Sequence, residues 1–555
     1  MDFRRLLLAL SLSFIFIFVW QTFFMPAPPI EQSPEQGGEK IDLNNNAATE
    51  VIKKKNNTVE TLELGSSLNI TTQLVSIDLN NGGTSINNLN IIEQDNGELK
   101  HVGAWDKKNG EYNSGVPVQL LDSQTCNPCL VENGQIILFD SDQVVYNYNP
   151  SEKTHVIQSS TNQGIQKTTI INDNSYVIDH LFTGLNSSNT YNLIWNEGLE
   201  PTEMNIQDDL TMSSLFAEKD KSYHSETISD TNELFNYTNV GWAGLKTKYF
   251  IKAITNQNYK ANKNNSVQFK STELQVNEDS QFISTDINFD YGIGNETIHT
   301  YSYIGPIDTD HLQGGRTEHL VQLFGFGWFI IGYLGQLILW VLTSLYTVIP
   351  NYGVICILFA FIIRIFTGPL TKQSFLSNQK MQKVQPKMKK IQEKYKDDQA
   401  KLSQATMELY KKEGVNPLGG CLPILVQMPL LIALFQVFRK TIEFRGAEFL
   451  PFWITDLSQP DIILQFEFLK HIPGISFFFG HGIALLPIIM GVVMFLSMQM
   501  TATTSPDPSA KFAMYFMNAF FILLFNTFPS GLNLYYTIYN ILNFIQQRQL
   551  KQLQT

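Results

Sequence analysis

Apolar residues recur with three different spacings along this 555-residue chain, and each spacing predicts a different kind of element. Met1–Met25 carries Arg4 and Arg5 and then an uncharged run, Leu6 to Met25, close to the ~20 residues that span a bilayer. The run is long for a cleaved leader and rich in aromatics (Phe14, Phe16, Phe18, Trp20, Phe23 and Phe24), so residues 1–25 are expected to form an uncleaved anchor with a cytoplasmic N-terminus, although Ala27 leaves cleavage open. Residues 26–59 are rich in Asn, Gln, Glu and Lys and predict a flexible linker. From 60 to 318 the period falls to two. Thr72–Leu79, Gly134–Phe139, Gln143–Tyr148, Gln166–Ile171, Tyr191–Trp195, Lys248–Ile254 and Gln281–Phe289 alternate or are rich in β-branched and aromatic residues, with turns such as Asn81-Gly82-Gly83 between them. That pattern predicts an all-β sandwich domain.

Residues 319–555 hold long charge-poor runs instead: Phe324–Thr347, Asn351–Leu370, Leu418–Phe438, Gly482–Thr501, Phe512–Phe528 and Leu532–Ile545. Between the second and third, Lys372–Glu413 carries 11 Lys against 5 acidic residues, which places it in the cytoplasm by the positive-inside rule. Parity then allows one crossing between the β block and Lys372. Asn351–Leu370 is the better span, because the run before it is interrupted by Gly325, Gly327, Gly332 and Gly335. The prediction is an interfacial helix at 327–347, spans at 351–371, 418–440, 482–501, 512–529 and 532–547, and both termini inside. Residues 372–415 read as a cytoplasmic helical hairpin. Met381, Val384, Met388, Ile391 and Tyr395 recur at helical spacing, as do Leu402, Ala405 and Leu409, and Pro386 is expected to kink or restart the first arm.

Charge sharpens this division. Residues 26–318 hold 39 Asp and Glu against 18 Lys and Arg, a net of −21, while the remainder is +9. The acidic block offers no footing for nucleic acid. Cys126 and Cys129 stand as Cys-Asn-Pro-Cys, open to a short disulfide or, less simply, a redox or metal site, whereas Cys356 and Cys421 sit in apolar runs as core residues.

One charge falls inside a span. Arg364 lies about two turns from the cytoplasmic end of 351–371, and none of the predicted spans contains an Asp or Glu. It must be hydrated, snorkel to headgroups, reach backbone carbonyls, or meet something that arrives. The same inventory argues against a proton-coupled transporter, and no internal repeat supports a transporter with an outer binding domain. Neutral polarity is scattered instead: Gln427, Asn518, Asn526, Asn533, Tyr535, Tyr536 and Asn540. A carbohydrate-binding role for the β domain finds no acid pair or aromatic platform in the sequence.

Asn416-Pro-Leu-Gly-Gly-Cys-Leu-Pro-Ile-Leu-Val-Gln-Met-Pro429 and Phe528-Pro-Ser-Gly-Leu-Asn-Leu-Tyr-Tyr536, with Arg364 ahead of Pro369-Leu-Thr371, resemble the motifs of the Oxa/YidC/Alb insertase family. The outer β domain, Gly241-Trp242, Lys248-Tyr249-Phe250 and Tyr303-Ile-Gly-Pro306 are similar to its Gram-negative branch. The resemblance implies a non-enzymatic insertase and chaperone of the bacterial inner membrane with a periplasmic β domain. It would insert, fold and help assemble integral membrane proteins, alone or with the Sec translocon and its accessory subunits. Implied partners are nascent membrane proteins, lipids, and a ribosome at the hairpin and C-terminal tail, with no cofactor and no specific nucleic acid. A cytoplasm-open groove would hold Arg364 with Gln427, Asn533, Tyr535 and Tyr536, and Leu425, Met428, Phe435 and Phe516 would form its apolar exit face. Two departures stand out: Ala360 replaces the threonine usual four residues before the arginine, and the outer segment Ile442–His481, with its apolar run Ile475–Phe479, is unusually long.

Overall fold

In the computed structural model the described residues run from Ser67 to Gln552, except 81–84, 96, 107–108, 124–125, 140–143, 220–221, 228–233, 257–264, 278–279, 313–315, 324, 327–329, 397, 416–421, 467–481 and 502–507. The predicted anchor at 1–25 and linker at 26–59 lie outside them. The chain forms two compact units divided at residue 325.

Alternation becomes antiparallel sheet throughout the first unit. Nine strands form the largest sheet, in the order Val145–Asn149, Thr154–Ser160, Gln166–Asn172, Val177–Thr183, Thr297–Pro306, Phe250–Asn256, Val240–Lys246, Ser214–Lys219 and Ser222–Thr227. A second sheet runs Leu234–Thr238, Ser266–Asn277, Ser280–Gly292, Tyr191–Trp195, Cys129–Glu132 and Gln135–Ile136, and five strands between Ser67 and Asp122 make a third. The two larger sheets face each other. Ile178, His180 and Phe182 point inward from one strand, and His180 meets Trp195 of the second sheet edge-on at 5.2 Å.

That interior is more polar than the pattern predicts. Lys252 is fully buried, its Nζ 5.4 Å from the centre of the Trp195 ring and donating to Glu197 O at 2.7 Å. Burial pushes its pKa down to about 7, and that of Lys167 likewise. Lys248 is instead paired, 2.7 Å from Asp208, and its backbone N–H donates to Asp209 at 2.9 Å. The pair ties α1 (Ile206–Met212), opened by its Asn205 cap, to the turn ahead of strand Phe250–Asn256. Cys126 and Cys129 are joined in a disulfide, which resolves the alternatives left open by their spacing; Cys356 is buried and free.

The second unit is helical: α2 (Ile330–Tyr346), α3 (Tyr352–Lys394), α4 (Gln399–Glu413), α5 (Leu422–Lys440), α6 (Leu485–Thr501), α7 (Pro508–Phe525) and α8 (Ser530–Gln552). Each lies on a predicted apolar run or hairpin arm, with one difference. The residues expected as a span and those expected as the first arm are one continuous helix of 43 residues, ~65 Å long. Pro386 does not restart it. The missing hydrogen bond is offset by packing, since Val384 is buried with Leu409 and Val415, and Met381, Met388 and Ile391 pack on the same cluster. Among the described residues α3 is the helix long and apolar enough to cross a membrane, and Ile330–Tyr346, Leu485–Gln499 and Tyr515–Phe525 are shorter apolar helices. On α2, Ile330, Tyr333, Leu337 and Trp340 form an exposed stripe opposite buried Ile338, Leu339 and Leu342.

The long segment between α5 and α6 ties helix ends together. Asp461 Oδ2 accepts the N–H groups of Leu485 at 3.1 Å and Leu486 at 2.8 Å, capping α6. Asn526 accepts from Ala484 N–H at 2.9 Å and donates to Gly482 O at 2.8 Å, while the N–H groups of Ser530 and Gly531 donate to Gln459 and Leu457 carbonyls. Strands Ile462–Gln465 and Gly482–Ala484 pair here, and the run Ile475–Phe479 lies outside the described residues.

Candidate functional site

Helical periodicity decides where Arg364 points. Cys356, Ala360, Arg364, Gly368 and Thr371 follow one another at three or four residues along α3, and all are buried. A cation therefore occupies a position on the packed face, 8% exposed, against α8. Its Nη1 donates to Thr371 Oγ1 at 3.2 Å, and its Nη2 donates to Asn543 Oδ1 at 3.1 Å and to Gln546 Oε1. The guanidinium carbon stands 5.4 Å from the centre of the Tyr539 ring, whose hydroxyl lies 3.1 Å from Thr367 Oγ1. Every hydrogen-bond partner is neutral. Among the described residues the arginine has neutral side-chain partners, a hydroxyl and two amides that hold it without cancelling its charge.

Those amides were missed because Asn543 and Gln546 fall at the end of the expected last span. The signal was present. Tyr536, Tyr539, Asn543 and Gln546 continue at helical spacing as a polar stripe down α8.

The other predicted residues divide into groups. Gln427 lies on α5 beside the hydroxyls of Tyr535 and Tyr536 without reaching hydrogen-bond geometry, and Gln427 Nε2, Tyr535 Oη and Tyr536 Oη are buried with no partner among the described residues. Tyr536 is seven residues, ~10 Å, from Asn543 on the same face of α8, so two polar places share one helix. Asn533 belongs to neither: its Nδ2 donates to Phe525 O at 3.1 Å and Phe528 O at 3.2 Å, pinning the α7–α8 connection. On the proposed exit face, Phe516 is exposed and Met428 half-buried, but Phe435 is buried against Phe528 at 4.6 Å. Leu425 lies on α5, with its side chain outside the described residues. Ala360 is fully buried. No cluster of three or more His, Cys, Asp or Glu among the described residues could hold a metal ion.

A β-rich unit thus precedes an apolar helical unit that holds a buried cation among neutral partners. The family model for the YidC periplasmic domain matches residues 67–341, and that for the 60Kd inner membrane protein matches 344–555. A membrane protein insertase YidC from Chloroherpeton thalassium is 30% identical, over 99% of this chain and 96% of its own. One from Prosthecochloris aestuarii is 36% identical over 65% of this chain and 60% of its own. A crystal structure of an active YidC insertase with its first transmembrane domain resolved aligns over 88% of this chain at 15% identity and a TM-score of 0.35, too low to bear on the arrangement of the units. The chain belongs to the YidC family of inner-membrane protein insertases, in the form that carries a periplasmic domain.

Proposed function

We propose that the helical unit receives the polar flank of a nascent membrane segment beside Arg364 and passes its apolar part into the bilayer. The observation that carries this reading is a buried guanidinium held by neutral groups alone, a site with net positive charge that an acidic or polar flank would complement. Gln427, Tyr535 and Tyr536 extend the polar path along α8, and their unpartnered atoms favour hydration. Exposed Phe516 on α7 and half-buried Met428 on α5 offer the departing segment an apolar surface, with Phe435 supporting it from behind and Leu425 on the same helix. Transfer of the segment supplies the drive, at ~25 cal/mol per Å² of apolar surface.

In this reading α3, α5, α6, α7 and α8 are five crossings, α2 lies in the outer interface, and the basic hairpin of α3 and α4 is cytoplasmic with both termini. The protein then acts alone or beside the Sec translocon, with a ribosome meeting the hairpin and tail. Replacing Arg364 with Ala in cells depleted of the native protein should lower insertion of a short acidic-tailed membrane protein about tenfold, equivalent to ~1.4 kcal/mol of lost interaction. Undiminished insertion at normal protein levels would remove Arg364 from the mechanism.

A further inference from the structure

A cleft of about 550 Å³ lies between α3 and α8, lined by buried Arg364 and exposed Lys372 among others. Arg364, Gly368 and Lys372 succeed one another at four residues on α3, and Leu542, Gln546 and Gln549 line the facing side of α8. Gly368 keeps the space between the two cations open. A Cβ built there meets only Gln546 Nε2, at 3.7 Å. Neither wall carries an acidic residue: α8 has none, and the one in α3 is Glu393, five turns or more beyond Lys372. The rim is apolar and uncovered, with Ile365 74% exposed and Phe361 and Ile545 each 46% exposed.

We infer that this cleft binds the phosphodiester headgroup of an anionic phospholipid. Arg364 has charge to spare after its neutral partners are satisfied, and Lys372 adds a second cation that no carboxylate on either wall offsets. Gln546 and Gln549 offer amide donors to a headgroup, and the rim residues present to acyl chains the surface that water would leave uncovered at a cost. A free anion would gain nothing from that rim. An extended peptide would find few main-chain partners, because both walls are helices whose backbone groups are spent internally. The proposal shares Arg364 with the groove reading but gives it a different occupant, a lipid headgroup in place of a substrate chain.

The test uses the full chain reconstituted in vesicles with photoactivatable phosphatidylglycerol or its phosphatidylcholine counterpart, followed by mapping of lipid adducts. Adducts on the segments around Arg364 to Lys372 and Leu542 to Gln549 should favour phosphatidylglycerol. Lys372→Gln, a change at an exposed side chain, should reduce that preference about fivefold, the worth of one basic group at a membrane surface. Leu542→Trp, which fills the cleft, should abolish the adducts. Equal labelling by both lipids, or labelling unchanged in both variants, would overturn the assignment. So would loss of the adducts to millimolar inorganic phosphate, which would identify a soluble-anion site. Adducts of a stalled substrate chain on these segments in place of lipid would overturn it too, and would leave the groove reading standing.

Discussion

Lys252 shows at a single residue how a buried charge makes folding depend on pH. Its ordinary value is 10.5, and burial lowers it to about 7 in the folded chain. Below pH 7 both folded and unfolded chains hold the proton, and the burial penalty is full. Between 7 and 10.5 the unfolded chain keeps a proton that the folded chain releases, so stability climbs with pH at up to ~1.4 kcal/mol per unit for one lysine. Lys167 adds a slope of the same sign. Lys252→Met should remove its own share while Trp195 keeps an apolar neighbour. Urea unfolding of the full chain in detergent at pH 7, 8 and 9, followed by near-ultraviolet circular dichroism, measures the difference; an unchanged slope would show that Lys252 stays protonated when folded. Neither lysine was legible as a buried group, because in strand Gln166–Asn172 position 167 has the phase of an inward residue but the chemistry of an outward one. Arg364 was legible for the opposite reason: its apolar neighbours made the exception visible, though not the amides that hold it.

At the scale of elements, Asp461 turns an irregular segment between α5 and α6 into part of the bundle. Removing its side chain leaves the Leu485 and Leu486 N–H groups without their cap, so Asp461→Ala should cost ~1 kcal/mol and lower the unfolding midpoint in detergent by about 2–4 °C. Differential scanning calorimetry checks this, and Asp461→Asn, which keeps an accepting oxygen, should recover most of the loss. The cap could not be read beforehand, since a carboxylate 24 residues before its partner carries no periodic signal. Strands show the same limit. Gln166–Asn172 and Tyr191–Trp195 declared themselves by alternation, whereas Val240–Lys246, buried along nearly its whole length and interrupted by two glycines, does not alternate. Continuity of α3 past Pro386 was equally hidden. The sequence displays the missing N–H, but the hydrophobic cluster that outweighs it includes residues more than twenty positions away.

For the whole molecule, the division into a β-rich and a helical unit follows from the change of period and the reversal of charge near residue 320, both visible in the chain itself. The number of crossings rests on parity, and accessibility from the two sides of the membrane tests it. Cysteines replacing Phe452 in the segment between α5 and α6 and Met407 on α4, both strongly exposed side chains, should behave oppositely. An impermeant maleimide should label position 452 in intact spheroplasts and position 407 only after lysis. Labelling of both from one side would break the five-crossing arrangement.

The single helix α3 carries a missing backbone rung close to its cation. A rod ~65 Å long transmits a load from its basic arm toward the membrane, and it yields where a rung of the backbone ladder is missing. Pro369 removes such a rung five residues, ~7.5 Å, beyond Arg364, so a sideways push on the arm pivots about a point little more than a turn from the cation. The guanidinium lies before that missing rung, where Asn543 and Gln546 of α8 hold it, while its bond to Thr371 crosses to the arm side. A change of angle at Pro369 therefore acts first on the Arg364–Thr371 bond, the contact that spans the missing rung.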